Sequence, residues 1–414
     1  MTKLAVIVII SIFLCVDCLK LEEKFSWVNV EFNWPSEKDH QSALANKQYI
    51  PENNVIVGLE KWKNKLFVTI PRWRAGVISG LNYIDLAQSE MSENKMSPKL
   101  NPYPSWEANL LSNKLSKSSI ISPFRMQVDE CDRLWVLDTG FDDFLGAFKQ
   151  VTPNAIVVFD LKTDKLIARY EIPKSQLKED SFMPNLIVDT SKKSCNKAFA
   201  YVADSIGFAI IVFSLHEKKS WRVKHNFFHI DPMMGTFSVA DVMFSWRDGI
   251  FGMALGHVNP DSSRNMYFHS MISNEEFVVS NKVLQNETYC NDPSSYDEYK
   301  LIGNRGLDSH STSEVFDEAT SVLFYTLISH NGIGCWNTMK PLNYDNAILM
   351  DADDVAMVFP NDIKIDADRN LWVLTDRLPQ YIYGKLNAKD VNYRILVGRI
   401  DDLIKDTPCD KNFM

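Results

Sequence analysis

Three aspartates stand at the ends of strand-like runs: Asp138 after LWVL, Asp204 after AYVA and Asp376 after LWVLT. Brought together in space, they would form an anionic funnel suited to an amine, held by charge-assisted hydrogen bonds in a partly desolvated site. Aromatic neighbours would stack on a ring. The competing reading is that each acid caps a turn or pairs with Arg72, Arg74, Arg305 or Arg377. Local catalytic signatures are absent: there is no GxSxG elbow, HExxH pair or phosphate-binding GK[ST] loop, and no Cys or His pair has zinc-site spacing. His225 and His229, four apart in the strand-like HNFFHI, share no helical face and read as structural. The acidic run Asp351 to Asp354 lacks the glycine and distal glutamate of a calcium loop and reads as a solvated turn. No metal and no cofactor is expected.

The elements that must carry these acids are repeats. VDECDRLWVLDTG, from Val128 to Gly140, returns as IDADRNLWVLTDR, from Ile365 to Arg377. In both copies an aspartate precedes a tryptophan by six residues (Asp129 and Trp135, Asp366 and Trp372), with turn residues between and an apolar strand after. Fainter copies surround Phe67, Ala200, Tyr267 and Phe324, so six strand centres recur at intervals of 48 to 68 residues. Each interval accommodates four short strands. The sequence predicts an all-β fold, a six-bladed β-propeller with a central ligand channel, in which equivalent positions of different repeats converge. No Pro/Gly/Ser-rich linker or charge block divides the 414 residues, so 19–414 form one expected domain.

Residues 1–18 combine Lys3, an apolar run from Leu4 to Cys15 and small residues suited to cleavage after Cys18, the pattern of a secretory signal. A soluble, secreted mature protein is expected, with no membrane partner. Secretion lets thiols pair. Of the five remaining cysteines, Cys131 and Cys195 occupy matching turns of neighbouring repeats, which suits a bridge between blades; Cys335 and Cys409 would then tether the C-terminal segment. Spacing alone leaves the pairing open. Cys290 is left over, either buried and free or available for an intermolecular bond. Asn286 lies in the sequon Asn286-Glu-Thr288 within a polar stretch, an expected glycosylation site. A formal charge of −9 argues against nucleic acid and anionic membrane surfaces.

Several motifs also carry a family resemblance: LFVTIPRWRAGV (Leu66 to Val77), SPKLNPYPSW (Ser97 to Trp106), VDECDRLWVLDTG, DGIFGMAL (Asp248 to Leu255), GCWN (Gly334 to Asn337) and VNYRILVGRIDDLIKDTPCD (Val391 to Asp410). In this order they resemble the insect Yellow and major royal jelly protein family. PRWRAGV, VFPNDIKID and DRLP look nearer to the Yellow branch than to royal jelly or salivary members. The resemblance implies a six-bladed propeller, secretion, the pairs Cys131–Cys195 and Cys335–Cys409, and a link to cuticle melanisation and sclerotisation.

Salivary members bind biogenic amines such as serotonin through a Thr of an FGTD motif and the Asn and Phe of an SNGF motif. The matching positions here are Asn361, Asp376 and Leu378, all three different. The resemblance therefore implies a pocket of altered selectivity for a catecholamine or indole, with Asp376 as an ion-pair partner for an ammonium and no stacking ring at Leu378. Other members are similar to dopachrome-converting enzymes. Under that alternative His310 would be the base and Arg305 the electrophile, provided both face the pocket, whereas a surface-loop histidine is the bland reading. A structural or storage role like that of royal jelly members, with contacts to cuticle proteins, is the second alternative.

Overall fold

The computed structural model describes residues 20–92, 94–112 and 114–413. The signal segment lies outside the described residues. The fold is all-β, with short helices only. Among the described residues there are six four-stranded antiparallel sheets and two two-stranded ribbons. Sheet 1 runs Gly58–Trp62, Lys65–Thr69, Leu81–Asp85, Asn101–Pro102; sheet 2 runs Pro123–Val128, Arg133–Asp138, Ala155–Asp160, Lys165–Glu171. Sheet 3 comprises Asn185–Asp189, Phe199–Asp204, Ala209–Ser214 and Lys219–Val223. Sheet 4 comprises Ile250–Val258, Arg264–Ser270, Glu275–Ser280 and Lys300–Asn304. Sheet 5 comprises Glu314–Asp317, Val322–Leu327, Gly332–Asn337 and Ala347–Ala352.

Sheet 6 is assembled from both ends of the chain. Pro360–Ile365, Asn370–Thr375 and Tyr393–Arg399 are followed by the N-terminal strand Glu22–Trp27, which pairs antiparallel with Tyr393–Arg399. The repeats did not announce this strand, because their first copy begins at Lys61. All six expected strand centres fall in the second strand of their sheets.

The second strands are apolar on both faces because both faces are covered. In Arg133–Asp138, Leu134 and Val136 pack with Phe67 and Leu81 of sheet 1, while Trp135 and Leu137 pack with Val188 and Ala200 of sheet 3. Similar clusters join sheets 3 and 4, 4 and 5, and 5 and 6, and the last joins sheet 6 back to sheet 1 through Leu374, Ile395, Leu59 and Val68. The first strands also neighbour one another in order, and Pro360–Ile365 returns to Gly58–Trp62.

The repeat signature is a turn lock. Asp129 accepts from the Trp135 indole at 2.7 Å, the Arg133 side chain and the Cys131 and Arg133 amides. Asp366 does the same for Trp372 at 2.9 Å and the Asp368 and Asn370 amides. Six residues is the spacing at which a turn aspartate reaches the indole of the following strand.

Cys131–Cys195 links the matching turns of sheets 2 and 3, and Cys335–Cys409 ties the third strand of sheet 5 to the C-terminal segment. Cys290 is buried and free, its thiol pushed up to about 11 by burial. HNFFHI is not strand but a one-turn 3-10 segment, Asn226–Phe228, where His225 stacks on Tyr299 and His229 on Phe208. Among the described residues no helix is long and apolar enough to cross a membrane.

Candidate functional site

A cavity of about 370 Å³ opens where the first strands begin. Three of those strands carry a bulge there: the pairing register shifts between Pro123 and Met126, between Ile250 and Gly252, and between Pro360 and Asp362. A bulge re-aims the extra side chain. Phe124, Phe251 and Asn361, all inside these irregular stretches, line the cavity. Connecting segments complete the wall. Phe141, Phe144 and Phe148 form a cluster with ring centroids 4.7 to 5.5 Å apart, and Phe182 stands edge-on to Phe124 at 5.5 Å. Trp246, Phe359 and Leu378 also line it, with Trp246 edge-on to Phe359 at 5.9 Å.

The polar groups of this wall are few. Asp248 accepts from the Ser205 hydroxyl at 3.0 Å, and enclosure by the apolar wall pushes its carboxyl up to about 6. At neutral pH it is mostly ionised. Asp180 and Arg247 make an exposed ion pair at the rim. Asn361 offers little freely, since its carboxamide oxygen accepts from Arg125 at 2.7 Å and its amide donates to Asp376.

The predicted residues therefore separate. Asn361 and Leu378 line the cavity. Asp376 lies one layer behind, fully buried, bonded to Asn361 and to the Leu378 amide. Burial pushes its carboxyl up to about 8, which leaves it largely protonated near neutrality and unsuited to pairing with an ammonium. Asp138 accepts from the Ile121, Ser122 and Gly140 amides and pairs with Arg169 at 3.1 Å. Asp204 binds the Ser181 hydroxyl, the Phe182 and Gly207 amides and Arg222, the last at 2.7 Å. Both acids cap turns and pair with arginines, though with Arg169 and Arg222 rather than the four expected. A three-carboxylate funnel does not form, because Asp138 and Asp204 are taken up by turn amides and an arginine and Asp376 by Asn361 and the Leu378 amide.

His310 and Arg305 do not meet at the cavity either. His310 is neither a surface-loop residue nor a cavity residue: it is buried, stacked on Phe237 at 4.1 Å, with its ring nitrogens against the Met234 carbonyl and the Ser329 hydroxyl. Burial lowers its basicity. Arg305 donates to Glu276 at 2.7 Å and to the Ser273, Glu275 and Ser309 carbonyls. Asn286 is exposed just after the short helix Asn281–Gln285.

The aromatic wall and Asp248 escaped the sequence reading. The DGIFGMAL motif held two of these residues, Asp248 and Phe251, and the FDDFLGAF run held three phenylalanines. Nothing local distinguishes them from core.

The family described as "Major royal jelly protein" matches residues 121–409. The chain belongs to the Yellow and major royal jelly protein family. It is 41% identical to "Protein yellow" of Drosophila subobscura over 393 residues, covering 94% of this chain and 67% of that relative. Against "Protein yellow" of Drosophila melanogaster it is 40% identical, with 94% of this chain and 71% of the relative covered. As a family member it brings sheet 1 and the N-terminal strand from outside the matched segment, so the stretch from 121 is completed by residues that precede it.

Proposed function

We propose that this chain is a secreted Yellow-type protein that acts in insect cuticle pigmentation and sclerotisation by binding a small catecholamine or indole. In this reading the six sheets are the blades of a six-bladed propeller, and the cavity is one mouth of its central channel. The observation that carries the proposal is the aromatic wall around the Asp248 carboxylate, with the other lining acids, Glu179 and Asp180, exposed. Phenylalanine and tryptophan faces suit a catechol or indole ring, each well-placed aromatic pair contributing about 0.5–1.5 kcal/mol. Asp248 supplies the charge for an ammonium in a poorly solvated setting. The disulfides support secretion, and the exposed Asn286 supports glycosylation. With His310 and Arg305 both directed elsewhere, the tautomerase alternative loses the two residues it rested on.

The test is calorimetric titration of the purified protein with dopamine, serotonin and a neutral catechol, repeated on Asp248→Asn. Micromolar binding of both amines is expected, weakened at least tenfold (about 1.4 kcal/mol) by the substitution, with the neutral catechol unaffected. Failure of all three to bind the unsubstituted protein would overturn the reading.

A further inference from the structure

Apart from the residues that line the aromatic cavity, three ligand-type side chains from two sheets meet in the interior. His269 lies on the second strand of sheet 4, Glu276 on its third, and Glu314 opens the first strand of sheet 5. All three are at most 4% exposed. The His269 Nδ1 stands 3.0 Å from one oxygen of Glu276 and 3.0 Å from one of Glu314, and the three atoms lie within 4.8 Å of one another. Gly252, the register partner of His269, makes room for this: a Cβ there would sit 2.2 Å from the imidazole.

The hydrogen bonds around the trio are incomplete. Arg305 donates to the Glu276 oxygen that faces His269, which offsets one carboxylate. Both Glu314 oxygens, the other Glu276 oxygen and His269 Nε2 are buried with no hydrogen-bond partner among the described residues. A buried carboxylate in that condition is costly unless a cation engages it or it takes up a proton. An imidazolium could serve one oxygen of each glutamate, but it leaves the remaining Glu314 and Glu276 oxygens unpaired.

We propose that His269, Glu276 and Glu314 form a binding site for one divalent transition-metal ion. One imidazole nitrogen and two carboxylates are a borderline donor set that suits zinc or manganese better than calcium, which takes an all-oxygen shell. Donors about 2.1 Å from a tetrahedral ion stand about 3.4 Å apart, so small side-chain shifts bring these atoms onto one. The ion has a route in. Glu314 lines a second cavity, of about 640 Å³, at the opposite ends of the first strands, where seven carboxylates face three basic side chains.

The test is equilibrium dialysis of the EDTA-treated full chain against Zn²⁺ and, separately, Mn²⁺, with elemental analysis of the retained metal. One ion per chain is expected in the unsubstituted protein, a loss of at least tenfold in affinity in Glu314→Gln, and full retention in Cys290→Ser, which removes the free thiol. No stoichiometric ion, or one that Glu314→Gln keeps, would overturn the proposal. Should Glu314→Gln fail to fold, anomalous scattering at the zinc edge from crystals of the unsubstituted protein decides: a peak between His269 Nδ1 and the two carboxylates supports the site, and a peak elsewhere or none refutes it.

Discussion

Asp138 and Asp204 end the second strands of their sheets, Asp376 stands one residue beyond the end of its own, and the three serve different ends. The first two have guanidinium partners, Arg169 and Arg222. Among the described residues Asp376 has only the Asn361 amide and the Leu378 backbone as direct hydrogen-bond partners, so burial dominates and its carboxyl rises to about 8. That difference has a measurable sign. The folded chain holds a proton on Asp376 that the unfolded chain releases near pH 4, so this residue costs stability progressively as pH rises from about 4 to about 8. Asp376→Asn removes the titration. Urea unfolding at pH 5, 7 and 9 is expected to show the variant gaining on the parent by up to about 1.4 kcal/mol per pH unit within that window. A stability difference that stays flat with pH would show that Asp376 is ionised in the folded protein.

At the scale of elements, alternation within each second strand decides which neighbouring sheet a side chain meets, and closing turns are locked by Asp129 and Asp366. These features were legible beforehand, since periodicity and turn chemistry are written within a dozen residues. The cysteines behave similarly: matching turns of adjacent repeats must be near neighbours. The Cys335–Cys409 link holds down a C-terminal segment that also buries Ile400, Leu403 and Ile404 against sheets 5 and 6. Cys409→Ser is expected to lower unfolding stability by about 2–4 kcal/mol. It should also speed amide exchange in Gly332–Asn337 and Ile400–Ile404, leaving Arg133–Asp138 unchanged. Unaltered stability would mean that apolar packing alone secures the segment.

For the whole molecule, closure depends on a strand from the other end of the chain. Phe25 and Trp27 are buried, and Glu22–Trp27 covers what would otherwise be the open edge of Tyr393–Arg399. An exposed strand edge templates association. Deletion of residues 20–27 is expected to convert a monodisperse protein into aggregates on size-exclusion chromatography and to abolish a single cooperative unfolding transition. A monodisperse, cooperatively folded truncation would show that sheet 6 is stable with three strands.

The residue order alone disclosed the repeat, the all-β class and the family, because each is carried by local spacing or by motifs in series, and it left the cysteine pairing open until the resemblance supplied it. It disclosed Asn361 and Leu378 as cavity residues only through resemblance. The bulges that aim Phe124 and Phe251 inward, the arginines that claim Asp138 and Asp204, and the meeting of His269 with Glu314 involve residues from 10 to 45 positions apart. Their partners are chosen when successive sheets pack and the ring closes, and water excluded at that moment sets which carboxylates stay charged. No periodicity along the chain encodes that geometry, so it became visible only in the folded protein.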